Sequence, residues 1–425
     1  MPWPSALRAL RSRNYRLFLS GQLVSLIGTW MQMVAQSWLI YRLTGSAALL
    51  GLIGFAGQIP VFVLAPLAGV IADRVSRRRV LFMTQGAMMV LALALAALTL
   101  SGRVQVWHLF VLAALLGIAN AFDIPARQAF MSEMVERSDL ANAIGLNSSA
   151  FNGARVVGPA VAGLIVAAVG EGWCFLLNGI SYIAVIAALA AIRVEPRSRV
   201  RGNLSAWESA VEGFSFAWET RPVRALLLLL GLVSLMGMPY SVLMPIFADR
   251  VVHGGPNAYG LLMSAAGIGA LGGAATLTAR RTLNGLGRWV AFSAAGFGAS
   301  LIAFSFSRSL WLSAALLVPA GFFMMLEMAA SNTLIQSMVP DRLRGRVMAV
   351  YTMMFMGMAP LGALMAGALA VPLGAPRTVA IGGAACIAGG LALAAHLPAL
   401  RGPARDLMVA QQVSAGGPPD EATPV

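Results

Sequence analysis

Twelve apolar stretches, divided by short polar joints rich in arginine, run from one end of the chain to the other. They lie near residues 15–41, 46–71, 80–100, 105–130, 140–169, 174–192, 223–247, 257–279, 288–307, 310–336, 345–371 and 376–398. A helix needs about 20 predominantly apolar residues to cross a bilayer, and each stretch comes to that length or more. The pattern predicts an all-α polytopic membrane protein with about twelve transmembrane helices. Little is left outside them. A connector occupies 193–221, and the tail at 399–425, rich in Gly, Pro, Ala and Gln, predicts disorder.

Composition narrows the class. Of the 425 residues, 59% are hydrophobic and 11% charged, with a mean hydropathy of +0.79, outside the range of soluble globular domains. All 30 basic residues are arginine. Without lysine there is neither a Walker A phosphate loop nor a Schiff base to a cofactor. Cys174, Cys386, His108, His253 and His396 show no metal-ligand spacing, and haem or iron–sulfur spacing is missing too. The expectation is no metal, no cofactor and no enzymatic activity.

A net charge of +14 would suggest nucleic acid in a soluble chain, but here the charge follows topology. With the amino terminus inside, 24 of the 30 arginines fall in cytoplasmic segments and Arg42, Arg103, Arg250, Arg308 and Arg377 in external loops. Arg155 alone falls within a span. The positive-inside rule then sets both termini in the cytoplasm, in a multi-pass protein of a bacterial inner membrane. The expected partner is the lipid bilayer, with no nucleic acid. The opening residues have no cleavage-type apolar core of their own, so the first helix stays.

The second half repeats the first at an offset of about 204 residues. Met134-Val135 maps onto Met338-Val339, Gly158 and Gly163 onto Gly362 and Gly367, Gly69 onto Gly273, and Arg77 onto Arg281. Asp123 maps onto Glu327, an acid onto an acid within the membrane. The chain therefore divides into a six-helix half at 1–192, the connector at 193–221, a second six-helix half at 222–398 and the tail. In the connector, Trp207, Val211, Phe214 and Trp218 recur at helical spacing, with Glu208, Glu212 and Glu219 elsewhere on the helical wheel. That pattern predicts an amphipathic helix lying on the inner membrane face, a passive tether.

Between the second and third stretches lies Gly69-Val-Ile-Ala-Asp73-Arg74-Val-Ser-Arg77-Arg78-Arg79. Gly69 would let helices approach closely. Asp73 can pair with Arg77 and accept hydrogen bonds from a helix amino terminus of the other half, giving a latch that breaks as the halves rock. Positive-inside anchoring alone is the plainer reading. The spacing resembles the loop signature of major facilitator transporters, with Ser76 where that family usually has glycine.

The fifth stretch carries Asn152-Gly153-Ala-Arg155-Val-Val-Gly158-Pro159-Ala-Val-Ala-Gly163. Small residues permit close helix contact, and Pro159 cannot donate its backbone hydrogen bond. The physics predicts a bent, closely packed helix. The run also resembles the G-x(4)-G-P-x(3)-G pattern of exporters, which implies antiport. Arg155 should face a cavity or a partner, with Asp123 and Glu133 as plausible partners, either in a structural ion pair or in transport.

Glu327 has apolar neighbours and no arginine within a helical turn. Desolvation disfavours the charged form of such a carboxyl and suits it to binding and releasing protons. It is the first proton-coupling candidate and Asp123 the second; a neutral glutamate holding two helices together is the competing reading. Gln22, Gln32, Gln36, Asn147, Asn152, Tyr240 and Tyr351 are candidates for lining a cavity. Methionines crowd the second half, among them Met236, Met238, Met244, Met324, Met353 and Met356, and such adaptable apolar surface favours amphipathic or lipophilic cargo over sugars.

The run Ala121-Phe-Asp123-Ile-Pro125-Ala-Arg127-Gln128, then Asn142-Ala-Ile-Gly-Leu-Asn147-Ser, Gly158-Pro159, Cys174-Phe-Leu-Leu-Asn178, Asn332-Thr-Leu-Ile-Gln336 and Arg344-Gly-Arg-Val-Met348, resembles the enterobactin-exporter and drug:proton antiporter branch of the major facilitator superfamily. The resemblance spans nearly the whole chain. It implies proton-driven export of a siderophore or drug by alternating access, with protons and a small-molecule substrate as partners and a monomer as the expected state. A nutrient importer or facilitator of the same fold, or a non-transporting receptor, is the alternative.

Overall fold

A chain inside lipid has no water to satisfy its backbone, so each crossing segment closes its own hydrogen bonds as a helix. The computed structural model describes residues 5–193, 206–280, 282 and 284–414. Among them the elements are helices only. After a short 3₁₀ turn at Ser5–Arg11 come α1 (Arg13–Thr44), α2 (Ala47–Arg74), α3 (Arg77–Leu100), α4 (Val106–Met131), α5 (Leu140–Val169) and α6 (Glu171–Ala191). The connector helix α7 spans Ala206–Glu219. Then follow α8 (Arg221–Val251), α9 (Gly255–Ala279), α10 (Leu286–Phe306), α11 (Leu310–Met338), α12 (Asp341–Leu373) and α13 (Ala375–Ser414). Twelve of these, all but α7, are long and apolar enough to cross a membrane.

Local chemistry sets several ends. Ser12 caps α1 by accepting from the backbone N–H of Tyr15, and Gly45 closes it in the left-handed region at φ 61°. Ser76 stands at φ −59° just before α3, so no left-handed turn demands glycine there.

The chain packs as two units. One comprises 1–202 with 248–264; the other comprises 203–247 with 265–425. A segment that the sequence repeat assigns to the second half therefore packs with the first. In the first unit a core of Tyr15, Phe18, Leu81, Phe130, Ala143 and Leu189 gathers one end of the bundle. The Tyr15 hydroxyl donates to the Ala143 carbonyl at 2.7 Å, and Ser12 Oγ donates to the Met134 carbonyl at 2.7 Å.

The helix α8 is not one regular helix. Its α-helical turn ends at Leu232, a π-turn covers Val233–Gly237, a 3₁₀ turn covers Met238–Ser241, and a second π-turn covers Phe247–Val251. Pro239 and Pro245 lie within this stretch and each removes a backbone donor.

The connector helix forms over its described residues. Ala217 and Gly213 turn inward, while Val211, Phe214 and Trp218 are about half exposed. Glu212 pairs with Arg342 at 2.9 Å and also with Arg346, tying α7 to the start of α12. The side chains of Trp207 and Glu208 lie outside the described residues.

The tail expectation needs correction. Disorder was expected from residue 399, but α13 continues as helix to Ser414. Ala404 and Met408, one turn apart, are buried at 2% and 5% exposure. Ala404 shares an apolar recess with Pro222, Leu226, Leu397 and Leu400, so this stretch has a surface to fold against. Residues 415–425 lie outside the described ones.

Candidate functional site

Two carboxylates are buried at the matching positions of the two halves, each at 1% exposure: Asp123 on α4 and Glu327 on α11. A charge there persists only with compensation, through pairing, hydrogen bonds or protonation. Asp123 has ample compensation. Thr84 Oγ1 and Gln85 Nε2 on α3 donate to its Oδ1 at 2.9 and 2.8 Å. Arg127, one turn along α4, faces its Oδ2 at 3.3 Å. Glu327 receives the Ser331 hydroxyl at 3.2 Å, also one turn along its helix, and among the described residues it has no ion-pair partner.

Arg155 was expected to meet Asp123 or Glu133. The structure gives those acids other partners: Arg127 for Asp123, and Arg77 for Glu133 at 2.8 Å. The guanidinium of Arg155 lies instead over the ring of Trp30 on α1, 5.7 Å from its centroid. A neighbour four residues along the same helix reaches Asp123 more readily than a residue on another helix does.

The cluster at 69–79 is partly visible. The side chains at Gly69, Asp73 and Arg74 lie outside the described residues. Arg77 donates to the Ala129 carbonyl at 3.1 Å as well as to Glu133, at the end of α4. Arg78 donates to the Leu189 and Ala190 carbonyls at 2.9 and 3.0 Å, at the end of α6. Both arginines thus satisfy helix C-termini, where orphan carbonyls and the dipole favour a cation. They knit the first unit together at this end.

On α5, the small residues do what close contact requires. A Cβ on Gly158 would lie 2.5 Å from the Trp30 Cβ and 2.9 Å from the Ile27 carbonyl of α1. Further along, a Cβ on Gly260 would lie 2.4 Å from the Pro159 carbonyl and 2.9 Å from the Gly163 Cα. Ser264 Oγ donates to the Val156 carbonyl at 2.8 Å. One edge of α5 is therefore fitted to α1 and another to residues 256–264.

The polar cavity candidates divide. Gln22, Gln32, Asn152, Tyr240 and Tyr351 are buried. Gln32 accepts from Asn178 Nδ2 at 2.7 Å, Asn152 donates to the Ser148 carbonyl at 2.9 Å, and Tyr351 donates to the Met328 carbonyl at 2.9 Å. These groups join helices or turns, the use that buried polar side chains find in membrane bundles. Gln36 and Asn147 are half-buried. Of the methionines, Met244 and Met324 are buried, while Met353 and Met356 are exposed.

Sequence reasoning passed over one cluster entirely. At the end of α1 away from the amino terminus, the Tyr41 hydroxyl donates to Asp249 Oδ2 at 2.7 Å. Arg250 Nε donates to the same hydroxyl at 3.1 Å, and its guanidinium lies 5.8 Å from the Tyr41 ring centroid. Trp38 stacks on Tyr259 beside them, with centroids 6.2 Å apart. The signal available was the adjacent pair Asp249-Arg250 at the end of an apolar stretch, beyond two prolines.

Comparison with known proteins places this arrangement. A family model described as transmembrane secretion effector matches residues 4–415. The staphyloferrin A transporter of Staphylococcus aureus is 26% identical over 377 residues, covering 88% of this chain and 93% of the relative. The multidrug efflux pump Tap of Mycobacterium tuberculosis is 31% identical over 404 residues, covering 91% and 93%. Among solved structures, a bacterial homologue of the human lysosomal transporter Spinster superposes with a TM-score of 0.67 at 16% identity, covering 96% of this chain and 98% of that one. A POT family transporter gives 0.71 at 12% identity, covering 91% and 96%. At that identity the likeness shows the fold, which is the major facilitator fold of these transporters.

Proposed function

Because the chain belongs to the transmembrane secretion effector family of membrane transporters, we propose that it exports an amphipathic or lipophilic small molecule, a siderophore or a drug, in exchange for protons. The observation that carries the proton part is Glu327. It is a buried carboxyl on α11 that accepts from the Ser331 hydroxyl and, among the described residues, has no ion-pair partner. Such a group stays in the membrane most easily as the neutral acid and can ionise when water or cargo reaches it. Asp123, held by an arginine and two further donors, is the second proton candidate and serves mainly to hold α3 and α4 together.

The remaining roles follow the same reading. The chain works as a monomer, and both termini lie in the cytoplasm, an orientation that the arginine distribution supports. Gly69, Asp73, Arg74, Arg77 and Arg78 form the cytoplasmic latch. Arg155, Gly158, Pro159 and Gly163 mark the exporter-type helix, and the half-buried Gln36 and Asn147 are the polar candidates left for lining a cavity. Export is favoured by the efflux and siderophore transporters among the relatives.

The test is proton-gradient discharge in energised everted vesicles, with catecholate siderophores and lipophilic drugs added one at a time. Discharge by one class, lost in Glu327→Gln, is the expected result. Undiminished discharge in that variant, with the same pH dependence, would remove the role given to Glu327.

A further inference from the structure

Where α8 and α10 begin and α11 and α13 run out, the second unit leaves a recess at one end of its helices. Pro222 and Leu226 of α8, Gly287 of α10, Leu334 of α11, and Leu397 and Leu400 of α13 line it. The lining is apolar, but arginines adjoin it on three helices. Arg221 precedes Pro222, Arg288 follows Gly287, Arg401 follows Leu400, and Arg405 follows Ala404. Near this end the same helices carry one acid, Asp406.

Among the described residues none of these four arginines is in an ion pair. Arg221, Arg288 and Arg405 are exposed, where water can serve them, but Arg401 is half-buried. Its Nε is buried and has no hydrogen-bond partner there. A buried donor left unmet costs stability, and more so on a cation. The recess also receives the first turns of α8 and α10, to which Thr220 and Gly285 give no side-chain cap. Their unmet N–H groups favour an anion as well. A soluble anion would answer the charge and leave the apolar lining wet. A neutral lipid would cover the lining and leave Arg401 unmet. A ligand with an apolar chain and a phosphate answers both.

We propose that this recess binds one anionic phospholipid, with an acyl chain along the apolar lining and the phosphate on Arg401, backed by the exposed arginines around it. The end concerned is the one read as cytoplasmic from the arginine distribution, so the lipid comes from the inner leaflet. It would bridge the start of α8 and the extended end of α13.

The test is equilibrium binding to the purified full-length protein in a nonionic detergent, read by fluorescence polarisation of phosphatidylglycerol labelled on one acyl chain. Unlabelled phosphatidylglycerol should displace the label about tenfold or more effectively than phosphatidylcholine with the same chains, the scale of one charge-assisted contact. Inorganic phosphate should displace little of it. In Arg401→Gln the two lipids should compete alike, and Arg401→Lys should keep part of the preference, with the charge but without the fork. Arg103→Gln, which removes an exposed arginine from the first unit, should keep it whole. Added phosphatidylglycerol should raise the melting temperature of the wild type and not that of Arg401→Gln, and the melting curves also separate lost binding from lost fold. Equal competition by both lipids in the wild type, displacement by phosphate as strong as by the lipid, or a preference that survives in a folded Arg401→Gln protein would overturn the proposal. So would lipid binding seen only in a chain shortened to Ser414, because the tail acids Asp420 and Glu421 would then be the occupant. Lipid binding in detergent needs neither a gradient nor cargo, so its failure leaves the vesicle experiment standing.

Discussion

Asp123 and Glu327 stand 204 residues apart, and so do the residues one turn beyond them, Arg127 and Ser331. Both acids are on equivalent helices, both are buried at 1% exposure, and both meet a side chain four residues on. In the first half that side chain is a guanidinium; in the second it is a hydroxyl. An internal repeat can therefore keep the depth and geometry of an acid while changing what the acid can do. In the proposed reading the paired carboxylate joins helices, and the one met, among the described residues, by a serine hydroxyl exchanges its proton. Four substitutions test that contrast.

Glu327→Gln keeps the volume and removes the exchangeable proton. It should lower proton-driven transport by on the order of 100-fold, the scale on which a proton-transferring side chain acts. Exchange of cargo across vesicles without a gradient should persist. Loss of both activities together would mean that the glutamate is needed for structure and not for coupling.

Arg127→Ser gives the first half the partner that the second half has. Breaking one side of a buried pair costs about 3–5 kcal/mol. Arg127 is a quarter exposed and Thr84 and Gln85 remain, so a loss of about 1–3 kcal/mol is expected. It should show as a lowered melting temperature, partly restored when Asp123→Asn is added. A second proton-dependent step appearing in transport would show that the partner alone decides the role.

Thr84→Val removes one donor to Asp123 and keeps the shape. It should cost about 1 kcal/mol of stability, the net worth of a hydrogen bond with some charge assistance, with transport keeping its response to pH. An altered pH response would move Asp123 from structure into coupling.

Ser331→Ala should have the smallest effect, below about 1 kcal/mol, with transport within about twofold of the unaltered protein, since the reading of Glu327 requires a carboxyl and not a fixed partner. A defect as large as that of Glu327→Gln would make the hydroxyl an obligatory relay.

The twelve crossings were legible because lipid imposes one rule on every residue of a span, and a local window captures it. The stretch near 345–371 corresponds to Asp341–Leu373, and that near 15–41 to Arg13–Thr44. What depends on a distant partner was not legible. The choice of Arg127 over Arg155 for Asp123 was within reach, because four residues on a helix is a local relation. The contact between Tyr41 and Asp249 joins residues 208 apart, and no periodicity announces it. The helix through Ala404 and Met408 was hidden behind two prolines and a Gly-Pro-Ala composition, which obscure a helix that forms only because a neighbouring surface receives it. The irregular course of α8 was announced by Pro239 and Pro245, though not whether a kink or π-turns would follow.

The clasp of Tyr41 with Asp249 and Arg250, together with the seating of Gly260 on α5, bears on how such chains can be recombined. A chimera joined at the connector would take 1–202 from one parent and everything after from another, and so would split the first compact unit between two ancestries. A graft that carries residues 248–264 along with the first half keeps that unit whole. The gene's midpoint is thus the convenient place to cut, but the protein's own seams lie after Phe247 and before Ala265.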